Sequence, residues 1–498
     1  MTSIKPCILL IGCGPHAKRV YLPAIKATEK NFSTVIKAVV EVKNLESDTM
    51  NYVSKYYDNV EGLFIKPFNS THTHTLPLDV EQQLNSIVEK HTINSVVITT
   101  DPLNHMQYAL WVQKQDLHIL MDKPVSTYGN VSIDLTQAKQ IKDDFNILMD
   151  NYSPDKAFII NAQRRFLPQF EVLQTQINNV AKNYGMPITS LQSTHSDGQW
   201  RLPNEILTQT YHPYIGWGKV SHSGYHLIDM AGKIVRDSYK NTEKRFDDVS
   251  VFSHFIRPSG LLRNQSQQDL AKIFGLIYNE LDPRSDEELT LLYKYHNEAE
   301  IDATALINLS VDNIPLTNIT LNLLHTGFCR RDWMMPGVDL YKGNGRVRHE
   351  YHNIQQGPLQ NIQAHSYQSS DKHDFNTEED FMLGGNNHYD IHIYRNVGII
   401  GGIPLDIITA RDLAAAYSLD KTKVMNEIAR HRAVNEFVEV VIGKRKVLNL
   451  KASLPDHNFS TQLMSMIYES GIKKMEIRQP LRANLGNDIV QKKVSLAL

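Results

Sequence analysis

The sequence has few cysteines and almost no net charge, and each shortage excludes a class of protein. Its three cysteines, Cys7, Cys13 and Cys329, are too few and too scattered for a disulfide framework or a four-cysteine zinc site. Basic residues number 52 and acidic residues 54, so the formal net charge of −2 provides no global basic field for nucleic acid or an anionic membrane. We therefore expect small-molecule partners and a reducing, cytoplasmic compartment.

Long apolar runs are also missing. No stretch of about 18 apolar residues occurs, so no membrane span is expected, and the apolar run at 7–11 is too short for the core of a signal peptide. Hydrophobic residues make up 41% and charged residues 21% of the 498 positions, which is ordinary for folded proteins. A chain of this length and composition is expected to form two or three domains.

The chain contains two regions with different sequence patterns. Up to about residue 163, β-rich runs such as 35–42 alternate with helical stretches such as 105–115, which predicts an α/β domain built on a doubly wound parallel sheet of the Rossmann type. Later runs such as 303–311 follow one another without intervening helices, as in an antiparallel sheet. We expect the following division: a Rossmann domain over 1–163 and an α+β domain with a large, mainly antiparallel sheet over 164–498, with insertions near 240–300 and 330–396.

A glycine-rich loop follows the first predicted strand and precedes a predicted helix, which is the context of a dinucleotide-binding loop. Gly12 would permit the tight turn, Gly14 would let the main chain approach a pyrophosphate, and Ala17 would let helix and strand pack closely. The alternative is a glycine turn that binds no nucleotide. The residues expected to contact the cofactor here are Gly12, Gly14, Pro15, His16 and Ala17.

Glu41 ends the second predicted strand, where NAD sites carry the carboxylate that binds a ribose diol. The 2′-phosphate of NADP beside it would place like charges about 4 Å apart, at a cost of up to about 4 kcal/mol for an effective dielectric near 20. NAD is therefore the expected cofactor. NADP stays possible because Lys43, two residues further on, could partly neutralise such a phosphate.

Two further motifs follow predicted strands: residues 100–105 read T-D-P-L-N-H and residues 122–124 read D-K-P. Together with the glycine loop, and in this order, they resemble the Gfo/Idh/MocA family of glucose–fructose oxidoreductases and inositol dehydrogenases. In that family a T-P-x-x-x-H strand end and an E-K-P turn flank the nicotinamide; here the proline comes one position later and Asp122 replaces the glutamate. The resemblance implies that Lys123 is the catalytic lysine. The residues that it implies as cofactor contacts are Thr100, Asp101, Pro102, His105, Asp122 and Lys123.

The segment 220–229 resembles the D-x-G-x-H-x-x-D helix of the same family. His226 matches its catalytic histidine and Asp229 the acidic residue one helical turn later, and the spacing keeps these positions and 222 adjacent. His222 stands where the family has an aspartate, so a group that is neutral or cationic near pH 7 replaces an anion that would help to hold the lysine charged. The alternative for His226 is a core histidine bonded to the main chain.

The resemblance implies an NAD(P)-dependent oxidoreductase that transfers a hydride at a secondary alcohol or ketone of a sugar, cyclitol or related polyhydroxylated molecule, acidic and nucleotide-linked ones included. Lys123 and His226 would share proton transfer and Asp229 would orient them. It also implies a homo-oligomer formed through the sheet of the second domain. Two alternatives remain open: a ligand sensor of the same fold, and an NAD-dependent lyase or glycosidase with no net redox change.

Arginines near aromatic residues suggest an acidic substrate, because guanidinium forks suit carboxylate and phosphate. The alternative is that they are solvated or salt-bridged. A metal site is not expected, since the cluster at 349–352 is one residue too short for H-E-x-x-H and its histidines would face opposite sides of a strand. The residues expected to bind substrate are Arg164, Arg165, Trp200 and Arg201.

Overall fold

The computed structural model describes residues 5–68, 74–208, 216–296, 298–334, 345–369, 381–419 and 425–480. Parts of the predicted insertion at 330–396 and the last residues of the predicted second domain lie outside this set. Among the described residues, no helix combines the length and the apolar character that crossing a membrane requires.

The first sheet is parallel, and the described residues give it six strands in the order β3-β2-β1-β4-β5-β6. Both faces of β1 are buried: Ile8 and Leu10 pack into one apolar core, and Leu9 and Ile11 into another. Such apolar runs form because helices cover both faces, as the alternating pattern predicts. The strands are β1 (Cys7–Ile11), β2 (Val35–Val42), β3 (Glu61–Ile65), β4 (Ser95–Ile98), β5 (His118–Met121) and β6 (Phe158–Ile160).

Helices connect these strands on both sides of the sheet. A π-helical turn, Ala17–Tyr21, leads from the glycine loop into the first helix. The last helix of this layer begins where the side chain of Asp134 accepts hydrogen bonds from the amides of Thr136 and Gln137. The helices are α1 (Leu22–Phe32), α2 (Glu46–Val53), α3 (Leu78–His91), α4 (His105–Lys114) and α5 (Leu135–Asp150).

The second sheet is mixed but mainly antiparallel, which confirms the predicted fold class. Its nine described strands lie in the order β14-β13-β12-β11-β7-β10-β9-β8-β15. The neighbours β7 and β10 run parallel. One face is buried against helices and the other is open, so β9 alternates between buried Ala305 and exposed Leu306. The strands are β7 (Ser190–Ser196), β8 (Asp248–Ile256), β9 (Asp302–Val311), β10 (Ile314–Leu324), β11 (Val347–Gln356), β12 (Gln360–Ser369), β13 (Asp390–Arg395), β14 (Leu405–Ile408) and β15 (Ile477–Pro480).

The helices of this second part pack in three places: on the buried face of the second sheet, in a small lobe between β8 and β9, and against the first sheet. Helices packed on the buried face include α8 and α16, and α16 also packs against α5. The helices are α6 (Pro168–Tyr184), α7 (Pro203–Thr208), α8 (Tyr225–Lys240), α9 (Pro258–Asn264), α10 (Gln267–Phe274), α11 (Ile277–Leu281), α12 (Asp286–Tyr295), α13 (Val397–Ile400), α14 (Ala410–Ala416), α15 (Met425–Val441) and α16 (Asn458–Lys473).

The segments predicted as insertions contain strands of the second sheet. β8 lies in 240–300, and β11, β12 and β13 lie in 330–396. Their inward positions, such as Ile354 and Ile362, are fully buried, while the intervening positions carry polar side chains. A strand with one open face needs apolar residues only at every second position, so these segments read as polar. Within 240–300, α9 to α12 form a lobe outside the sheet, and α7 packs against it.

The chain returns to the first sheet near its C-terminal end. α15 packs against α1 and the π-helical turn, and the amide of Ile160 in β6 donates a hydrogen bond of 3.0 Å to the carbonyl of Ala452. A boundary at residue 163 therefore omits a later segment that covers the parallel sheet. This return brings residues of α15 to the edge where the predicted site lies.

Candidate active site

The glycine loop has the geometry that its sequence predicts. Gly12 has φ of +87°, and a Cβ on it would lie 2.7 Å from the backbone nitrogen of Thr100, so a side chain has no room there. A Cβ on Gly14 would meet nothing within 4 Å. The space beside Gly14 is thus open in the protein, and a bulky side chain at this position would fill it.

Glu41 is held beside this loop by main-chain amides. Its carboxylate accepts hydrogen bonds from the amide of Cys13, at 2.6 Å, and from its neighbour Val42, at 2.7 Å. The nearby cation Lys43 is paired with the exposed Glu46 at 2.5 Å. A carboxylate is therefore fixed at the end of β2, next to the glycine turn, and the cation that could offset it is bonded to another acid.

The residues after β4 fix the neighbouring wall of the crevice. The side chain of Asp101 caps the 3-10 turn Pro102–Asn104 by accepting a hydrogen bond from the amide of Leu103 at 3.0 Å. His105 is fully buried, and its Nδ1 lies 2.8 Å from the carbonyl oxygen of Pro124. His105 thus ties the start of α4 to the turn that carries Lys123, which makes it a positioning residue.

The side chain of Lys123 reaches from the end of β5 to the second part of the chain. Its Nζ donates a hydrogen bond of 2.7 Å to the main-chain oxygen of His222. Burial lowers the pKa of this ammonium group to about 8, against the opposing effect of the negative charges of Asp122 and Asp197. This pKa suits a group that exchanges a proton near neutral pH.

His222 and His226 lie on the wall opposite the parallel sheet. His222 belongs to a second π-helical turn, Val220–Gly224, which continues into α8. His226 begins the next turn and is only 8% exposed. Burial, together with the positive charges of Lys123 and Arg164, holds the pKa of His226 well below its ordinary value, so the imidazole is neutral at pH 7. The structure therefore brings Lys123, His222 and His226 together.

Asp229 and Arg165 do not join this group, which corrects their predicted roles. Arg165 donates two hydrogen bonds to the carboxylate of Asp229, at 2.6 and 2.8 Å, and both side chains are fully buried. His457 and Ser460 lie 3.1 and 2.9 Å from the same carboxylate. The physical reason is that a buried carboxylate needs a partner of opposite charge. The hydrogen bonds of the Asp229 carboxylate thus go to Arg165 and its neighbours and not to Lys123, and Arg165 is closed to substrate.

Trp200 and Arg201 contact the lobe rather than the crevice wall, which corrects their prediction as substrate contacts. The indole nitrogen of Trp200 donates a hydrogen bond of 3.0 Å to Gln265, and its ring packs against Phe274 of α10. Arg201 donates to Gln199 at 3.1 Å and is 7% exposed. Trp200 and one Nη group of Arg201 thus bond to neighbouring side-chain amides.

Arg164 is the predicted substrate residue that remains at the crevice, and it has a partner that the sequence did not indicate. It donates to both carboxylate oxygens of Glu350, at 2.6 and 3.2 Å. His352 lies 2.8 Å from the same carboxylate and 3.0 Å from Ser193 of β7. His349 points to the other face of β11, where its Nε2 lies 3.2 Å from that of His365. The described residues contain no group of three acids, histidines or cysteines placed to hold a metal ion.

A buried polar network behind His222 was also missed. Lys219 donates to Asp197 at 2.7 Å and lies 2.9 Å from Nδ1 of His195, and Ser223 donates to Asp197 at 2.7 Å. These cationic and hydrogen-bonding partners, of which Lys219 is the largest, hold the pKa of Asp197 well below its usual range against the effect of burial. The available signal was the alternation of polar residues along the end of β7, where an inward face would ordinarily be apolar.

Arg430 completes the crevice from the C-terminal part of the chain. It lies on α15, which packs against the first π-helical turn and β5. Its positive charge contributes to the lowered pKa values of Lys123 and His226. No local motif marks it, because it lies some 300 residues beyond Lys123 in the sequence and reaches the site only through the return of the chain.

Comparison with known proteins connects this geometry to a fold. The structure is similar to an aldose–aldose oxidoreductase from Caulobacter crescentus crystallised with glycerol, at 11% identity and a TM-score of 0.54 over 95% of this chain and 100% of that one. It is also similar to the WlbA dehydrogenase from Chromobacterium violaceum in complex with NADH and UDP-GlcNAcA, at 10% identity and a TM-score of 0.55 over 97% of this chain and 98% of that one. No protein-family model and no curated protein sequence matches the chain.

A third solved structure is an oxidoreductase from Agrobacterium radiobacter in complex with NAD+, L-tartaric acid and magnesium. It shares 11% identity and a TM-score of 0.54, over 95% of this chain and 98% of that one. Identities this low show the fold alone. The chain has the two-domain fold of the Gfo/Idh/MocA oxidoreductases, as its motifs predict.

Proposed function

We propose that this chain is an NAD-dependent oxidoreductase that interconverts a secondary alcohol and a ketone on a sugar, cyclitol or related polyhydroxylated molecule. The observation that carries the proposal is the position of Lys123. It stands at the carboxyl end of a parallel strand, its ammonium group has a pKa of about 8, and its Nζ is 2.7 Å from the main chain of the helix that bears His226. Two of the similar structures contain NADH or NAD+.

The residues around the glycine loop fit a dinucleotide. The open space beside Gly14 suits a pyrophosphate approached by main-chain amides, and the carboxylate of Glu41 suits a ribose diol. Lys43, two residues from Glu41, is paired with Glu46, and Lys18, on the other side of Cys13, is paired with Asp48. Because both cations already face acids, they offset the repulsion between Glu41 and a 2′-phosphate less, which favours NAD over NADP. A bound nicotinamide would supply the hydride acceptor for oxidation and the donor for reduction.

The side chains of the crevice would handle the proton. In oxidation the neutral amine of Lys123 accepts the proton of the substrate hydroxyl while hydride leaves the carbon that carries it, and in reduction the ammonium group returns that proton. The bond from Lys123 to the carbonyl of His222 fixes the position of its Nζ. His226 is neutral and adjacent, so it can hold the same substrate oxygen by a hydrogen bond without competing for the charge.

The proposal is tested by calorimetric titration of NAD(H), followed by a panel of neutral sugars and cyclitols monitored at the NADH absorbance band. We expect saturable NAD(H) binding and steady NADH production from at least one compound. Replacement Gly14→Val should weaken NAD(H) binding by at least about tenfold, or 1.4 kcal/mol, without loss of fold, because its side chain occupies only the cofactor space. Gly398→Val is the matched control, because Gly398 is exposed, a Cβ on it would meet only the side-chain oxygen of Asn396 at 3.7 Å, and its φ is not left-handed.

Absence of any saturable NAD(H) or NADP(H) binding would refute the dinucleotide site. Tight binding with no oxidation across the panel would instead favour the ligand-sensor alternative, and turnover of a substrate without net NADH formation would favour the redox-neutral lyase or glycosidase. Each outcome separates one class of function from the other two.

A homo-oligomer through the open face of the second sheet is part of the proposal. Apolar side chains are exposed on this face, among them Leu306, which is 51% exposed, and Ile407, which is 50% exposed. Exposed apolar residues spread over one sheet face favour a self-complementary interface with a second copy. Sedimentation analysis should find an oligomer that Leu306→Glu dissociates, and a wild-type monomer at every concentration tested would refute it.

A further inference from the structure

We propose that Glu350 determines whether the crevice accepts a neutral or an acidic substrate. By neutralising Arg164, it makes the crevice favour neutral polyhydroxylated molecules and exclude carboxylates. The inference rests on the proposed function of the same site and names a specificity-determining residue for it. No local motif marks Glu350, which reaches the crevice from a strand that the sequence analysis placed in an insertion.

The position of Arg164 places its charge at the reacting end of the crevice. It lies in the turn Gln163–Phe166, which leaves β6 at the same edge of the sheet as the turn carrying Lys123. Ile160 of β6 pairs in register with Met121 of β5, so the two turns begin side by side. In agreement with this geometry, the positive charge of Arg164 lowers the pKa of both Lys123 and His226.

Glu350 reaches the same place from the opposite sheet. It lies on β11, directly opposite His195 of β7, and its two oxygens receive the Nε and Nη2 groups of Arg164. The charge of Arg164 and the hydrogen bond from His352 keep the pKa of Glu350 well below its usual range, so the carboxylate stays ionised despite burial. Arg164 and Glu350 therefore form a pair without net charge, in which Glu350 fills the Nε–Nη2 edge of the guanidinium.

A substrate carboxylate at this pair would meet two obstacles. To bind the Nε–Nη2 edge of Arg164, it would have to displace Glu350. At any other position beside Arg164, it would lie close to the negative charge of Glu350. A hydroxyl group meets neither obstacle, because it can donate to a carboxylate or accept from a guanidinium. Three further arginines are also paired with acids: Arg165 with Asp229, Arg346 with Asp197, and Arg331 with Glu205. Arg430 adds a positive charge near Lys123 and His226, and this charge is the same in the wild-type protein and in every variant compared below.

The experiment compares matched neutral and acidic probes: D-glucose with D-glucuronate, and D-galactose with D-galacturonate. For each probe, kcat/KM with NAD is measured for the wild-type protein and for Glu350→Gln. We expect the wild-type protein to favour the neutral member of a pair by about tenfold or more, and Glu350→Gln to move that ratio toward the acid by about tenfold or more.

A second measurement distinguishes an effect of the charge of Glu350 from an effect of its replacement on the structure. Removing Glu350 leaves the positive charge of Arg164 uncompensated beside Lys123, so the pH–rate limb that reports the lysine should move to lower pH. The double variant Arg164→Gln with Glu350→Gln should reverse both effects, because neither charge remains. Asp406→Asn removes the carboxylate of the Arg395 pair on the far edge of the same sheet and serves as the matched control. It should change neither the ratio nor the limb.

Outcomes for the two proposals differ. If NAD(H) binds but no sugar or cyclitol of the whole panel is oxidised, the proposed function fails and the inference falls with it. If a neutral substrate is found and the wild-type protein uses its acidic partner equally well, the inference alone is overturned. A folded Glu350→Gln protein with an unchanged ratio overturns it as well. If this single variant does not fold, a folded double variant whose ratio moves toward the acid by about tenfold or more overturns the inference, because no charge of the pair remains to move it.

Discussion

The two walls of the crevice are built in different ways. On the side of the parallel sheet, the groups that matter sit in short, contiguous motifs at strand ends: the glycine loop, the turn after β4, and the turn that carries Lys123. On the opposite wall, they come from β7, from the second π-helical turn with Lys219 before it, and from β11. They are held by buried ion pairs between segments that are separate in sequence, such as Lys219 with Asp197 and Arg164 with Glu350. One wall is specified locally by the main chain, and the other by side-chain pairing.

This difference predicts that a substitution on the first wall will lower turnover or cofactor affinity. A substitution on the second wall will lower the free energy of unfolding or change the substrate specificity. Lys123→Met gives the largest expected effect. It should lower turnover by about 10² to 10⁴ while NAD(H) affinity stays nearly unchanged, because a positioned proton-transfer group acts on the reaction and not on cofactor binding. Lys114→Met, which removes an exposed lysine paired with Glu81, is the control and should have no effect on turnover. Wild-type turnover by Lys123→Met would remove the lysine from the mechanism.

Asp229→Asn tests the second wall. Loss of the carboxylate leaves Arg165 buried without its charged partner, so the free energy of unfolding should fall by about 3–5 kcal/mol in urea denaturation. The pKa of Asp229 is held well below its usual range, chiefly by the charge of Arg165, so its contribution is present above about pH 4 and is lost as the pH falls further. The stability gap between the two proteins should therefore narrow below about pH 4. An equal gap across this range would contradict the assignment.

His222→Asp tests the contact between the walls. A carboxylate at this position adds an anion near Lys123, which should raise the lysine pKa from about 8 by about one unit. If the neutral amine is the base in oxidation, the rate rises with pH through this pKa, and the rising limb should move to higher pH. The pH dependence of kcat/KM measures it. If the rising limb of the pH dependence of kcat/KM stayed at the same pH, that limb would report a group other than Lys123.

Glu41→Ala gives the smallest expected effect and refines the description of the first wall. Its carboxylate also accepts a hydrogen bond from Cys13, so its loss should loosen the loop and weaken both dinucleotides. Because the ribose contact concerns NAD alone, NAD should be weakened more than NADP, by about fivefold or 1 kcal/mol in calorimetric titration. An unchanged ratio of the two affinities would remove Glu41 from the ribose site.

The sequence predicted the first wall well because its signals are local. The apolar run at 35–42 is β2 with the same bounds, and the lysine turn follows β5 as its position indicates. The second wall was predicted only at 220–226, where helical spacing is informative. Glu350 was missed because a polar strand with one buried face has little apolar signal, and Asp229 was misassigned because its partner Arg165 lies 64 residues away in sequence. Arg430 depends on a long-range chain return that no local pattern encodes.

The hydrogen bond from Lys123 to position 222 ends on a carbonyl oxygen of the main chain. Every amino acid supplies that acceptor, so the lysine keeps its anchor whichever side chain occupies the position. Replacement of the side chain at position 222 therefore leaves the anchor of the lysine in place. The charge at position 222, and with it the pH at which the lysine exchanges its proton, can therefore be changed without changing the hydrogen bond that joins the two halves of the crevice.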